Sequence, residues 1–198
     1  MRVLVVSLFI FWIYLLTVLV RAKLHFFKFL IGAVGLFFFM IIFFQKFAVM
    51  LLTLWVTVVS GLIGDAVGYF KSFSDYGLIF INTNNCNISM YIDYECSGVI
   101  EIFAYMALLW FFPLYNTLEK IMYTVIGALW IFAANILRIV IICSIVHYYG
   151  DSTFYFAHTI FGRLIFYILS IILYFHVFTK SHIKRQKVGN VSYEYTTK

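Results

Sequence analysis

From Phe29 to Ile63 the chain is apolar almost without interruption, and only Gln45 and Lys46 break the run. No polar face recurs along it, and a helix that is apolar all round belongs in lipid. As a single helix the run would measure roughly 50 Å, well over the roughly 30 Å of a bilayer's hydrocarbon core. Two spans, 29–44 and 47–63, are therefore expected, with the break at Gln45–Lys46. Similar runs cover about 3–20, 97–112, 121–148 and 154–178. The reading is an all-α polytopic integral membrane protein of about six transmembrane helices, or five if 29–63 forms one tilted helix. Composition agrees: 11% of the residues are charged and 65% hydrophobic, against roughly 25% charged in a soluble domain. The expected organisation is N-terminal transmembrane helices over 1–63, one external loop or cap over 64–95, a helical core over 96–180 and a basic tail over 181–198.

The first apolar run exceeds the roughly 7–15 residues of a signal-peptide core, and "VRA" ending at Ala22 is a poor cleavage site. It reads as a retained span. The net charge of +6 carries no basic stripe with interleaved aromatics, so no nucleic-acid partner is expected. The lysines gather beside apolar runs, as membrane topology requires. Lys180, Lys184, Arg185 and Lys187 follow the last span and should stay cytoplasmic. Counting back, "YYGDST" is external, Lys120 internal, and Cys96 and the 64–95 segment external. Six spans put Arg21, Lys23 and Lys28 outside, against the charge rule; five put them inside. Cys86, Cys96 and Cys143 make no disulfide framework, although a Cys86–Cys96 bridge is open to two residues facing an oxidising side. The sequons at Asn87 and Asn190 are short matches without meaning in a bacterial chain.

Ionisable groups inside a span are costly and mark function by default. The N-terminal half has almost none. The C-terminal half has Glu101, Arg138, His158 and Arg163, with Asn135 and Cys143. In "ANILRIVIICSIVHYYG", Arg138 lies roughly 16 Å along the helix from its outer end. Arginine stays protonated there, so it must face protein or water. Asn135, three residues earlier, shares its face. His147 reads as interfacial and Cys143 as a small core residue. In "FAHTIFGRLIF", His158 sits about one turn inside the outer end, and Gly162 on the same face permits close helix approach. Arg163 points elsewhere and reads as structural.

In "YECSGVIE", Cys96 stands at a helix start, where the macrodipole favours a thiolate. Ser97 and Gly98 follow, giving small volume and backbone donors for an oxyanion. A histidine is the usual base for such a thiol, and His158 is expected at its level. From these residues alone, a structural cysteine and a nucleophile both remain open. Glu101 lies deeper on the same helix, as counter-charge for Arg138 or partner of Arg163. Arg138 is also expected deeper than Cys96.

The order "CSG", "NILRI", "FAHTIFGRLIF" resembles the exosortase/archaeosortase family of integral membrane transpeptidases. The resemblance covers about 90–170, and the first 60 residues match only as hydrophobic helices. It is similar to the small members from Gram-positive bacteria, with Glu101 a departure from the pattern. It implies a catalytic trio of Cys96, Arg138 and His158, with Ser97, Gly98, Asn135 and Gly162 as motif neighbours. It implies a bacterial plasma-membrane cysteine protease or transpeptidase acting at the outer face. Its partner would be an exported protein with a C-terminal transmembrane sorting signal, cleaved through a Cys96 thioester. Transfer to a lipid or glycan acceptor would follow, or hydrolysis. The 64–95 loop would cap the site, and no metal or other cofactor is implied.

The main rival is a non-enzymatic membrane protein assisting polysaccharide or lipid export, with Arg138 and Glu101 as the working pair and Cys96 inert. A redox role for Cys86 and Cys96 lacks C-x-x-C spacing. His147, His158 and Asp151 match no common metal-ligand spacing.

Overall fold

The computed structural model describes residues 2–82, 87–92 and 96–180. Cys86, Asn190 and the tail cations Lys184, Arg185 and Lys187 lie outside these residues. Five apolar helices make the body of the protein: α1 (Arg2–Arg21), α2 (His25–Val67), α3 (Val99–Phe111), α4 (Thr117–Tyr149) and α5 (Phe154–Thr179). Four are long and apolar enough to cross a membrane, and α3 is a shorter apolar helix.

The expected break at Gln45–Lys46 is corrected: α2 is one continuous helix of 43 residues. Gln and Lys are both good helix formers, and no proline or glycine stands beside them to stop the helix. Its length is roughly 64 Å, about twice the bilayer core. The excess is used for packing, because the last turns of α2 lie against a small sheet. A single α2 also removes the charge conflict. Arg21, Lys23 and Lys28 now stand at the same end as Lys120, which lines a common cleft with Lys28.

The polar segment folds as three antiparallel strands in the order β1 (Phe70–Phe73), β2 (Leu78–Asn82) and β3 (Asn87–Tyr91). Leu78 pairs with Tyr91 and with Phe73, which fixes the register. Alternate side chains face one way in a strand, and here Phe70, Ile79, Ile81 and Met90 are all buried. They form one core with Val56 of α2, Ile139, Ile142, Cys143 and Val146 of α4, and Cys96. The sheet therefore roofs the end of the bundle.

Glycine makes the closest approach. A Cβ on Gly64 would lie 2.6 Å from the Phe70 carbonyl oxygen, so any side chain there pushes α2 off the sheet. A second core lies lower, among Phe103, Tyr105, Leu109, Ile131 and Phe166. There the Tyr105 hydroxyl donates to the Tyr123 carbonyl at 2.7 Å. The start of α4 is closed by a capping box in which the Glu119 carboxylate accepts from the Asn116 N–H.

Candidate active site

Cys96, Ser97 and Gly98 form the turn that leads into α3, and all three are buried. Gly98 has φ 78°, a left-handed conformation that a Cβ disfavours. Space is not the constraint, since a Cβ would meet nothing closer than 3.7 Å. The turn is tied to α4 by Asn135, whose Nδ2 donates to the Cys96 carbonyl at 2.6 Å. Asn135 and Arg138 lie one helical turn apart, so the residue that fixes the cysteine backbone also fixes the face from which arginine reaches its sulfur. The Arg138 Nη2 is 3.8 Å from Cys96 Sγ.

His158 approaches from α5. The helix opens into π turns over Ala157–Phe161 before resuming at Gly162, a local widening frequent at functional sites. His158 Nε2 lies 3.3 Å from Cys96 Sγ, and its ring stacks on Phe154 at 5.7 Å between centroids. Arg138 is 5% exposed, and its guanidinium carbon stands 5.9 Å from the centre of the Phe166 ring. Gly162 keeps α5 close to α4, because a Cβ there would lie 2.6 Å from Ile142 Cδ1. Side chains from two helices, Arg138 of α4 and His158 of α5, thus meet at the sulfur of the turn before α3.

A family model for transmembrane exosortase matches residues 1–175. The chain belongs to that family. Its members are membrane-embedded, cysteine-type sorting transpeptidases that act on exported proteins. The match takes in the N-terminal helices as well as the motif region. No curated protein and no solved structure matches the chain.

In this exosortase-family chain, the depth expected for Arg138 is corrected. A deep Arg138 requires the whole outer end of α4 to sit in the membrane. Exposed large apolar residues on α4 run from Leu118 to Leu137 and then stop until Tyr148. That stretch is about 30 Å long, one hydrocarbon thickness. Beyond it α4 is wrapped by the sheet and α5, so Arg138 begins the protein-covered part and reaches the level of Cys96.

Glu101 is half-buried one turn into α3, and its Oε2 has no hydrogen-bond partner. No ion pair joins it to Arg138 among the described residues. Arg163 faces outward and is exposed. Cys143 is fully buried in the upper core as a free thiol. His147 stacks on Tyr69 at the roof, 4.6 Å between centroids.

The sequence reading missed Phe154 and Phe166. Each was legible as an i, i+4 neighbour, Phe154 of His158 and Phe166 of Gly162, since residues four apart lie one above the other on a helix. The π turn carried no such signal.

Proposed function

We propose that the protein is a cysteine transpeptidase that cleaves C-terminal sorting signals of exported proteins at the extracytoplasmic face of a bacterial plasma membrane. The observation that carries the reading is the convergence on Cys96 Sγ of His158 Nε2 at 3.3 Å and Arg138 Nη2 at 3.8 Å. The face follows from charge: Arg21, Lys23, Lys28 and Lys120 stand at the opposite end of the helices, and cations remain cytoplasmic.

In the first half-reaction Sγ bonds to the scissile carbonyl carbon and the thiol proton passes to His158 Nε2. The carbonyl oxygen takes up the negative charge beside the Arg138 guanidinium, a fixed cation in a largely dry site. The C–N bond then breaks, and the leaving amine takes its proton from His158. This leaves a thioester on Cys96. In the second half-reaction an acceptor amine or hydroxyl, or water, attacks the thioester carbon and loses its proton to His158, and the C–S bond breaks to restore Cys96. Asn135 holds the Cys96 carbonyl and so keeps the thiol aimed between its two neighbours.

The test is thiol modification in intact cells with a small membrane-impermeant reagent, in a background with Cys86→Ala and Cys143→Ala. An ordinary thiol reacts faster as pH rises toward about 8.5. A protonated histidine beside it holds the reactive thiolate at lower pH. The expected result is modification of Cys96 at pH 6 that drops about tenfold or more in His158→Ala. Equal rates in both proteins, rising together with pH, or no reaction at any pH would overturn the reading.

A further inference from the structure

The end of the bundle opposite the thiol carries a second concentration of charge. A cleft of about 400 Å³ lies between the start of α2, the end of α3 and the start of α4. Its cations are Lys28 and Lys120, with His25 beside them, and among the described residues no carboxylate lines it. Lys120 Nζ donates to the Trp110 carbonyl at 2.7 Å, which uses one of its three hydrogens. Lys28 and Lys120 line the same cleft, so an anion between them would meet two like positive charges. The nearest acid on α4, Glu119, is occupied in capping that helix. The N-terminal ends of α2 and α4 both face this region and add partial positive charge, while the Trp110 carbonyl at the C-terminal end of α3 is met by Lys120.

A second cavity adjoins the first. An apolar groove of about 680 Å³ runs past Leu108, Tyr167, Ile171, Phe175 and Phe178, and Phe29 lines both it and the cationic cleft. A cationic pocket that continues into an apolar groove matches an amphiphile with an anionic head. We infer that the two cavities together bind an anionic phospholipid, its phosphate between Lys28 and Lys120 and one acyl chain along the groove. This site is separate from the thiol chemistry and does not depend on it. Basic clusters at this membrane boundary attract anionic headgroups; the adjoining groove would turn that general attraction into a site.

The experiment uses the full chain in neutral detergent, titrated with phosphatidylglycerol, with phosphatidylcholine of the same chain length, or with inorganic phosphate. Retained lipid is read by native mass spectrometry and stabilisation by thermal unfolding. Phosphatidylglycerol should be retained and should raise Tm, while the other two should do neither at equal concentration. Lys28→Gln with Lys120→Gln should cut retention about tenfold or more, and Lys28→Arg with Lys120→Arg should restore it. Leu108→Trp, which fills the groove, should weaken retention, and Lys46→Gln, an exposed cation elsewhere on α2, should not. Equal retention of phosphatidylcholine would reduce the site to an apolar groove, and an equal effect of inorganic phosphate would make it a free-ion site. Either result overturns the inference, as does wild-type binding by the lysine-to-glutamine variant.

Discussion

α1 and α4 are both long, apolar helices that qualify as membrane spans, yet they have different surroundings. In α1, 6% of the most apolar window is buried inside the protein; in α4 it is 50%. Hydropathy alone does not separate them. What separates them is the polar content of the face they turn inward. α4 carries Asn135 and Arg138, which lipid would not tolerate, and both are buried against the Cys96 turn and α5. Between its terminal arginines α1 carries no acidic or basic residue; its one indole donor, Trp12, reaches the Ile31 carbonyl of α2 at 3.0 Å. On α4 these two polar residues mark the face that protein covers.

The comparison breaks most sharply at Arg138. If the α4 face exists for chemistry, Arg138→Ala should lower the rate of substrate processing about 10²- to 10³-fold, the usual loss for one donor to a developing oxyanion. Arg138→Lys should recover part of it, because charge returns without the guanidinium fork. Cleavage of an exported reporter carrying a sorting signal reads the effect. The export-helper reading is separated by Cys96→Ala: it expects function to persist there and fall only with Arg138. A loss in both variants, with normal amounts of protein in the membrane, excludes that helper role.

The site was legible in the sequence because its chemistry is costly in lipid. Glu101, Arg138 and His158 stood out, with Arg163, against spans nearly free of charge, and the "CSG" turn supplied the thiol. The helices were legible as apolar runs, but their lengths were not. The split at Gln45–Lys46 rested on the assumption that every apolar residue sits in the hydrocarbon core. α2 spends its last turns on a protein roof instead, and so does α4. That same assumption made Arg138 look too deep. The sheet was only partly legible: Ile79 and Ile81 alternate with their neighbours, but the third strand and the closeness of Gly64 to Phe70 depend on pairing across the chain.

A smaller effect is expected at the core beneath the roof. Ile142 is 1% exposed and touches Gly162 across the α4–α5 contact. Ile142→Ala should cost about 2–5 kcal/mol, from lost packing and the cavity left behind. The two glycine-spaced helices cannot close further, because Gly162 already lets them meet. Resistance to unfolding in a denaturing detergent series measures it. A loss below about 1 kcal/mol would mean that the upper core repacks freely and does not hold His158 against Cys96.

The smallest effect is expected on α1, and it closes the comparison from the other side. Ile10 is 62% exposed on a helix that packs mainly on α2. Ile10→Ala leaves apolar surface facing lipid in both the native and the unfolded membrane-inserted chain, so the transfer term nearly cancels. The change in stability should stay within about 0.5 kcal/mol, in the same detergent series that detects Ile142→Ala. A loss matching that of Ile142 would mean that α1 buries this face against a partner in the membrane. Its exposure would then be an interface, and the contrast between α1 and α4 would be one of partner rather than of lipid against protein.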